Sequence, residues 1–342
     1  MNSFVRQFLE LLRAKYISTD DKIIPVNFAE KVYMYNLDVI SGIGLGKAFG
    51  MRKADADLND YAKSTEEGIT MSARAKGLGI LPMLQHPLVH SVIAPSIKDK
   101  NGFGKMMATC YQFVDERIAA GPTDKRSDML AAWIRNGLVG DQLKSEALQA
   151  VLAGSDTTAT AIRSTLLLLM TNPRVLRKLQ AEIDEAVLDG DVPSTSEDAI
   201  ISSRQATQLP YLHAVCREGL RVLPPLTGAF ARDVGPGGDT VDIDGKKVFL
   251  PEGTSIAISA VAMHRRKDVF GDDHLIFRPE RWFEPDEEKL AVMTRINDLT
   301  FGAGRYQCLG KAIALQSLPK VIFEVRTVPR CWFPSMKPFV NK

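Results

Sequence analysis

Apolar residues recur at helical spacing in Phe4 to Tyr16, Phe28 to Ile43, Met106 to Ile118, Gln142 to Met170, Arg174 to Val187 and Tyr211 to Val222, so the first two thirds of the chain is expected to be helical. The period changes beyond Pro224. Val241 to Leu250 alternates apolar and polar residues around Asp244-Gly245, which predicts a short hairpin. Pro251-Glu252-Gly253-Thr254 makes a turn before the apolar run Ile256 to Ala262, and Arg278 to Trp282 reads as irregular chain. A last helix is expected from Leu309, interrupted at Pro319, and no clear pattern follows Glu324. The pattern predicts a mainly α protein, a large helical body with a small β-sheet.

Composition narrows the class. The 342 residues are 45% hydrophobic and 25% charged, as in ordinary globular proteins. Lys and Arg total 43 against 41 for Asp and Glu, and a formal charge of +2 provides no field for nucleic acid, so no nucleic-acid partner is expected. No apolar run reaches the roughly 18 residues that cross a bilayer. Cys110, Cys216, Cys308 and Cys331 lie far apart, without the spacing of a zinc ribbon or a dense disulfide framework.

Some local patterns point to chemistry and then away from it. Gly42-Ile43-Gly44-Leu45-Gly46-Lys47 has Lys47 where a dinucleotide fingerprint needs its third Gly and Ala48 where a phosphate loop needs Ser or Thr, so it reads as the end of a packed helix. His86 and His90 have Pro87 between them and no adjacent acidic ligand, which disfavours a metal site. Glu218 and Arg221, three apart, form by themselves an ordinary helical ion pair.

Two segments carry more. Ala153-Gly154-Ser155-Asp156-Thr157-Thr158 puts small and hydroxylated residues inside a long apolar helix, where the hydroxyls either bond preceding carbonyls and bend the helix or cap a new one at Ser155 or Asp156. Phe301 to Gly310 joins a glycine-punctuated turn, a cysteine and the start of a helix, so Cys308 faces backbone N–H groups, a setting suited to a thiolate metal ligand. A buried structural cysteine is the alternative.

Together, and in this order, these segments resemble the cytochrome P-450 superfamily. Ala153 to Thr158 matches its oxygen-activating helix, Glu218 and Arg221 its Glu-x-x-Arg, and Pro279-Glu280-Arg281-Trp282 its Pro-Glu-Arg-Phe segment. Phe301, Gly304, Cys308 and Gly310 match the heme loop, and the wording is similar to fungal members of the pisatin-demethylase-like type. The resemblance runs from about Phe28 to Glu324 and implies one partial domain over 1–342 with the cytochrome P-450 fold, incomplete at the amino terminus and at the carboxyl terminus.

The resemblance also implies the chemistry. Cys308 would be the axial ligand of heme b (iron protoporphyrin IX), with Asp156 and Thr157 relaying protons to dioxygen. Glu218, Arg221 and Arg281 would form a charged cluster fixing the cysteine loop. Tyr306 stands where the loop's propionate-binding arginine is expected, with Arg305 one position early, and Arg232 resembles a second propionate-binding position. The implied activity is a monooxygenase of fungal secondary or xenobiotic metabolism, taking electrons from NADPH-cytochrome P-450 reductase and acting on a small hydrophobic organic substrate. Leu226 to Phe230 would line the substrate pocket, and Arg305, Lys311 and Lys320 would present a basic face to the reductase. The family sits at the cytosolic face of the endoplasmic reticulum membrane; for this chain, without the anchor, the expectation is soluble and cytoplasmic, or a location left unknown. A heme-thiolate isomerase or dehydratase and a non-catalytic remnant that binds heme poorly are the competing expectations.

Overall fold

The computed structural model describes residues 1–19, 21–84, 86–89, 94–121, 126–194, 199–227 and 231–325. The chain divides into two compact units, 1–163 with 324–342, and 164–323. The boundary falls inside one long helix.

In the first unit, α1 (Asn2–Lys15), α2 (Phe28–Leu45), α3 (Tyr61–Gly77) and α4 (Gly102–Ala120) precede α5 (Gly140–Thr171), which runs on into the second unit. Asn27 caps α2 by accepting the Glu30 N–H at 3.3 Å, and Gly46 ends it in the left-handed region at φ 75°, a conformation open to glycine. The Gly42 to Lys47 stretch is therefore a helix end, and Lys47 pairs with Glu116 at 3.2 Å. Phe8 and Leu12 of α1 and Tyr35 and Leu37 of α2 lie in the core, as do Met106 and Val114 of α4.

The second unit holds α6 (Pro173–Leu188), α7 (Pro210–Val222), α8 (Glu287–Asp298) and all but the last two residues of α9 (Lys311–Val325). Pro173 and Pro210 occupy the first helical position, where no amide partner is lost. The strands β1 (Arg232–Asp233), β2 (Asp239–Ile243), β3 (Lys246–Leu250) and β4 (Ser255–Ile256) make two antiparallel pairs, β1 with β4 and β2 with β3. The β2–β3 turn has Asp244 and Gly245 at φ 52° and 79°, the conformation an Asp-Gly hairpin requires. Ala214 of α7, Val269, Phe270, Trp282 and Met293 of α8 share one apolar cluster.

The structure corrects two expectations about helices. α5 is unbroken through Ala153 to Thr158, so neither Ser155 nor Asp156 starts a helix. α9 begins at Lys311 and passes through Pro319 to Val325. Proline costs a helix about 3 kcal/mol, but Leu318, Val321, Ile322 and Phe323 are all buried beside it, and their burial outweighs that cost. Among the described residues no helix is long and apolar enough to cross a membrane.

Candidate functional site

Cys308 lies in a loop whose backbone is folded back on itself. Gly302 and Gly304 take positive φ of 70° and 61°, and the Cys308 N–H donates to the Phe301 carbonyl at 2.7 Å. A side chain at Gly302 would meet the Tyr306 carbonyl oxygen at 3.0 Å, so this turn excludes larger residues. Gly310, two residues on, lies beside the Cys308 sulfur, where a Cβ would make ordinary contact at 3.7 Å.

The thiol is free and exposed, whereas Cys110 and Cys216 are buried. Burial pushes the Cys110 thiol up to about 12 and raises that of Cys216 further, which leaves both as inert core residues. Cys331 lies outside the described residues.

Beside this loop, Tyr306 gathers two cations. The Arg232 guanidinium stacks over its ring at 4.3 Å and that of Arg305 at 5.4 Å. All three side chains are exposed, and among the described residues no carboxylate lies within ion-pair distance of either arginine. Two like charges brought onto one ring without a counter-ion suit a ligand with acidic groups. An accessible soft sulfur, exposed apolar Leu309 and paired guanidinium groups fit a flat, metal-bearing, dianionic macrocycle such as heme.

Glu218, Arg221 and Arg281 come together as a buried cluster. Arg221 grips Glu218 with two hydrogen bonds, Nε at 2.9 Å and Nη2 at 2.8 Å, and Arg281 Nε reaches the same carboxylate at 2.8 Å. Trp282 Nε1 and the Arg278 N–H complete it at 3.0 Å each. The remaining guanidinium hydrogens hold the carbonyls of His264, His274 and Ile276 for Arg221, and for Arg281 the carbonyls of Phe270, Asp273 and Ile276 and the Asp273 carboxylate at 3.0 Å. With every donor and acceptor occupied, the charges are kept inside at tolerable cost.

None of the three bonds the cysteine loop directly among the described residues. The link is His264, which the motifs do not flag: its carbonyl accepts from Arg221 at 2.9 Å, while its ring Nε2 lies 3.3 Å from Thr300 Oγ1 and 3.3 Å from the Ile296 carbonyl. Thr300 is the residue before Phe301. Burial lowers the His264 pKa, so the ring is neutral and its tautomer is set by these partners. A single histidine closing an apolar run is the only trace of this role in the sequence.

In the other unit, Thr157 Oγ1 donates to the Ala153 carbonyl at 2.7 Å and Ser155 Oγ to that of Leu152 at 3.2 Å. Asp156 pairs with Arg163 across 3.6 Å. Gly154 permits close packing, because a Cβ there would meet Ile40 Cγ1 at 2.6 Å.

The basic docking face does not form as expected. Lys320 is buried at 4% exposure, and Lys311 is engaged by Asp298 at 3.0 Å, because the helix that carries both turns them toward protein rather than solvent. Of the expected substrate-pocket residues, Leu226 is exposed and 228–230 lie outside the described residues. His86 is described and His90 is not, and no cluster of metal-ligating side chains occurs among the described residues.

Comparison with known proteins gives a consistent picture. A family model for cytochrome P450 matches residues 1–324, which takes in α1 ahead of the expected start near Phe28. The chain is 41% identical over 327 residues to cytochrome P450 monooxygenase ABA1 of Pyricularia oryzae, covering 94% of this chain and 62% of that protein. It is 36% identical over 328 residues to cytochrome P450 monooxygenase aba1 of Botryotinia fuckeliana, covering 95% and 62%. Pisatin demethylase of Fusarium vanettenii is 31% identical over 300 residues, covering 85% and 54%. The chain thus spans a little under two thirds of the length of its curated relatives.

Proposed function

This chain belongs to the cytochrome P450 family, whose cofactor is heme, and on that premise we propose that it is part of a heme b monooxygenase that oxidises a small hydrophobic organic molecule. The observation that carries the proposal is the contrast among the cysteines: Cys308 alone of the described ones is an exposed thiol, held in a glycine turn beside two unpaired guanidinium groups.

In this reading the Cys308 sulfur would hold the iron, and Arg232 and Arg305 would bind the propionates. When bound, heme supplies the redox chemistry that activates dioxygen and delivers one oxygen atom to a substrate C–H bond. The protein's part is proton management. Thr157, whose own hydroxyl proton is committed to the Ala153 carbonyl, keeps its oxygen lone pairs to accept a hydrogen bond from a water and hold it in place. Asp156, partly exposed beside Arg163, resupplies protons from solvent. Glu218, Arg221 and Arg281, acting through His264, keep the loop in register.

Electrons would come from NADPH-cytochrome P-450 reductase at the cytosolic face of the endoplasmic reticulum. Similarity to fungal monooxygenases, pisatin demethylase among them, supports a place in fungal secondary metabolism. The test is the absorbance spectrum of the reduced, carbon monoxide-treated protein. A thiolate-type Soret band is expected in wild type and in Cys110, Cys216 and Cys331 variants, and its persistence in Cys308→Ser overturns the assignment.

A further inference from the structure

Asn36, in the middle of α2, is only 2% exposed, and its amide nitrogen donates to two consecutive carbonyl oxygens of α5: Gly154 at 2.7 Å and Ser155 at 2.5 Å. Both partners are acceptors, so the NH2 end of the side chain must face them. Leu152 and Ala153 carry extra donors of their own, from Ser155 Oγ and Thr157 Oγ1. Four successive carbonyls in mid-helix therefore accept from side chains in addition to their place in the helical ladder.

A buried primary amide is costly unless its hydrogens are used, and here both are. Close approach makes this possible, because Gly154 lets Ile40, one turn along α2 from Asn36, press against α5. The two helices are thus tied at one turn of α5, and that turn leads directly into Asp156 and Thr157.

We infer that Asn36 is a positioning residue for proton delivery: it clamps the turn of α5 that carries Asp156 and Thr157 and so fixes where those side chains point. It acts through the carbonyls of residues 154 and 155 and bonds neither side chain itself. The inference rests on the proton role proposed above for Asp156 and Thr157.

Three variants test it. Asn36→Leu keeps the branching and removes both donors, Asn36→Asp keeps the shape with one O–H donor at most, and Asn36→Ala serves if either fails to fold. The first measurement needs no cofactor: hydrogen exchange of the full chain should be roughly tenfold faster across 152–160, the scale of one lost hydrogen bond. Exchange at 164–171 of the same helix should be unchanged. Exchange that rises equally along the whole of α5, or nowhere, overturns the inference. The second uses heme-loaded protein with a flavoprotein reductase. Peroxide released per NADPH oxidised should rise toward the level of Thr157→Ala while the reduced carbon monoxide spectrum stays as in wild type. If Thr157→Ala leaks peroxide and the Asn36 variants do not, the positioning role fails alone. If Thr157→Ala does not leak, the proton role fails and the inference falls with it.

Discussion

Arg221 holds Glu218 through two hydrogen bonds of 2.8 and 2.9 Å, and neither side chain is reached by solvent. An ion pair three residues apart on an exposed helix contributes a few tenths of a kcal/mol. This one differs because the carboxylate of Glu218 is shared by two buried guanidinium groups, the second of which also reaches Asp273, and accepts from an indole N–H and a backbone N–H as well. Removing it strands the Arg221 charge, which cannot reach water, and leaves Arg281 with Asp273 alone.

The first prediction follows from that asymmetry. Glu218→Gln keeps the shape but loses the charge, and is expected to cost about 3 to 5 kcal/mol, the range for breaking a buried pair. Asp273→Asn, which removes a partly exposed partner of Arg281, is expected to cost about 1 kcal/mol or less. Urea denaturation followed by circular dichroism measures both, and equal costs would show that the cluster is no more than a surface network.

Much of this arrangement is written in local pattern. Helical spacing marks α1, α2, α4, α5, α6 and α7 to within a few residues, because each buries one face, whereas α3 and α8, which bury few residues, leave no such mark. Asp244-Gly245 marks the hairpin because few other pairs adopt its dihedrals. Cys308 and the Glu218 cluster stand out by residue type and order. Tertiary contacts are less visible. Asn36 is one of several buried polar residues of α2, and only the carbonyls of a helix more than a hundred residues away give it meaning. The passage of α9 through Pro319 is hidden for a similar reason, since burial supplied by distant residues overrides local propensity.

Gly154 gives the second prediction. In isolation Gly→Ala would favour a helix by about 1 kcal/mol. Here the new methyl meets Ile40 at 2.6 and 2.8 Å, so the helices must separate or Ile40 must leave its rotamer. Gly154→Ala is expected to destabilise by about 1 to 3 kcal/mol. Adding Ile40→Ala should recover part of that loss, and strict additivity of the two substitutions would show that the contact does not matter.

Glu280 supplies a pH-dependent prediction. Partial burial raises its carboxyl pKa, but hydrogen bonds from Arg174 and Lys178, both at 2.7 Å, outweigh this and hold it at about 2 against an ordinary 4.5. A depressed carboxylate pKa stabilises the fold above the unfolded value, and that contribution is lost as pH falls through the folded one. Wild type should therefore melt above Glu280→Gln at pH 7, and the gap should close between pH 4.5 and about 2. Because both cations are about half exposed, high salt should also narrow it. A gap that is independent of pH would mean that Glu280 acts by packing alone.

The last prediction concerns Tyr306, where the family pattern calls for arginine. Substituting arginine would restore the expected residue, but it would also remove the ring on which Arg232 lies at 4.3 Å and add a third guanidinium to a place that already holds two. Stacking restrains a long side chain whose freedom is otherwise lost only on binding, so the ring prepares Arg232 for an acidic ligand at lower entropic cost. Tyr306→Phe keeps the stack and is expected to retain heme as wild type does, whereas Tyr306→Leu and Tyr306→Arg should retain less after gel filtration. Nuclear magnetic resonance of the apoprotein checks the cause directly: the Arg232 side-chain protons should be shifted upfield by the ring in wild type and Tyr306→Phe, and not in Tyr306→Leu. Loss of heme in Tyr306→Phe, with the upfield shift intact, would assign the role to the phenol hydroxyl instead of the ring face.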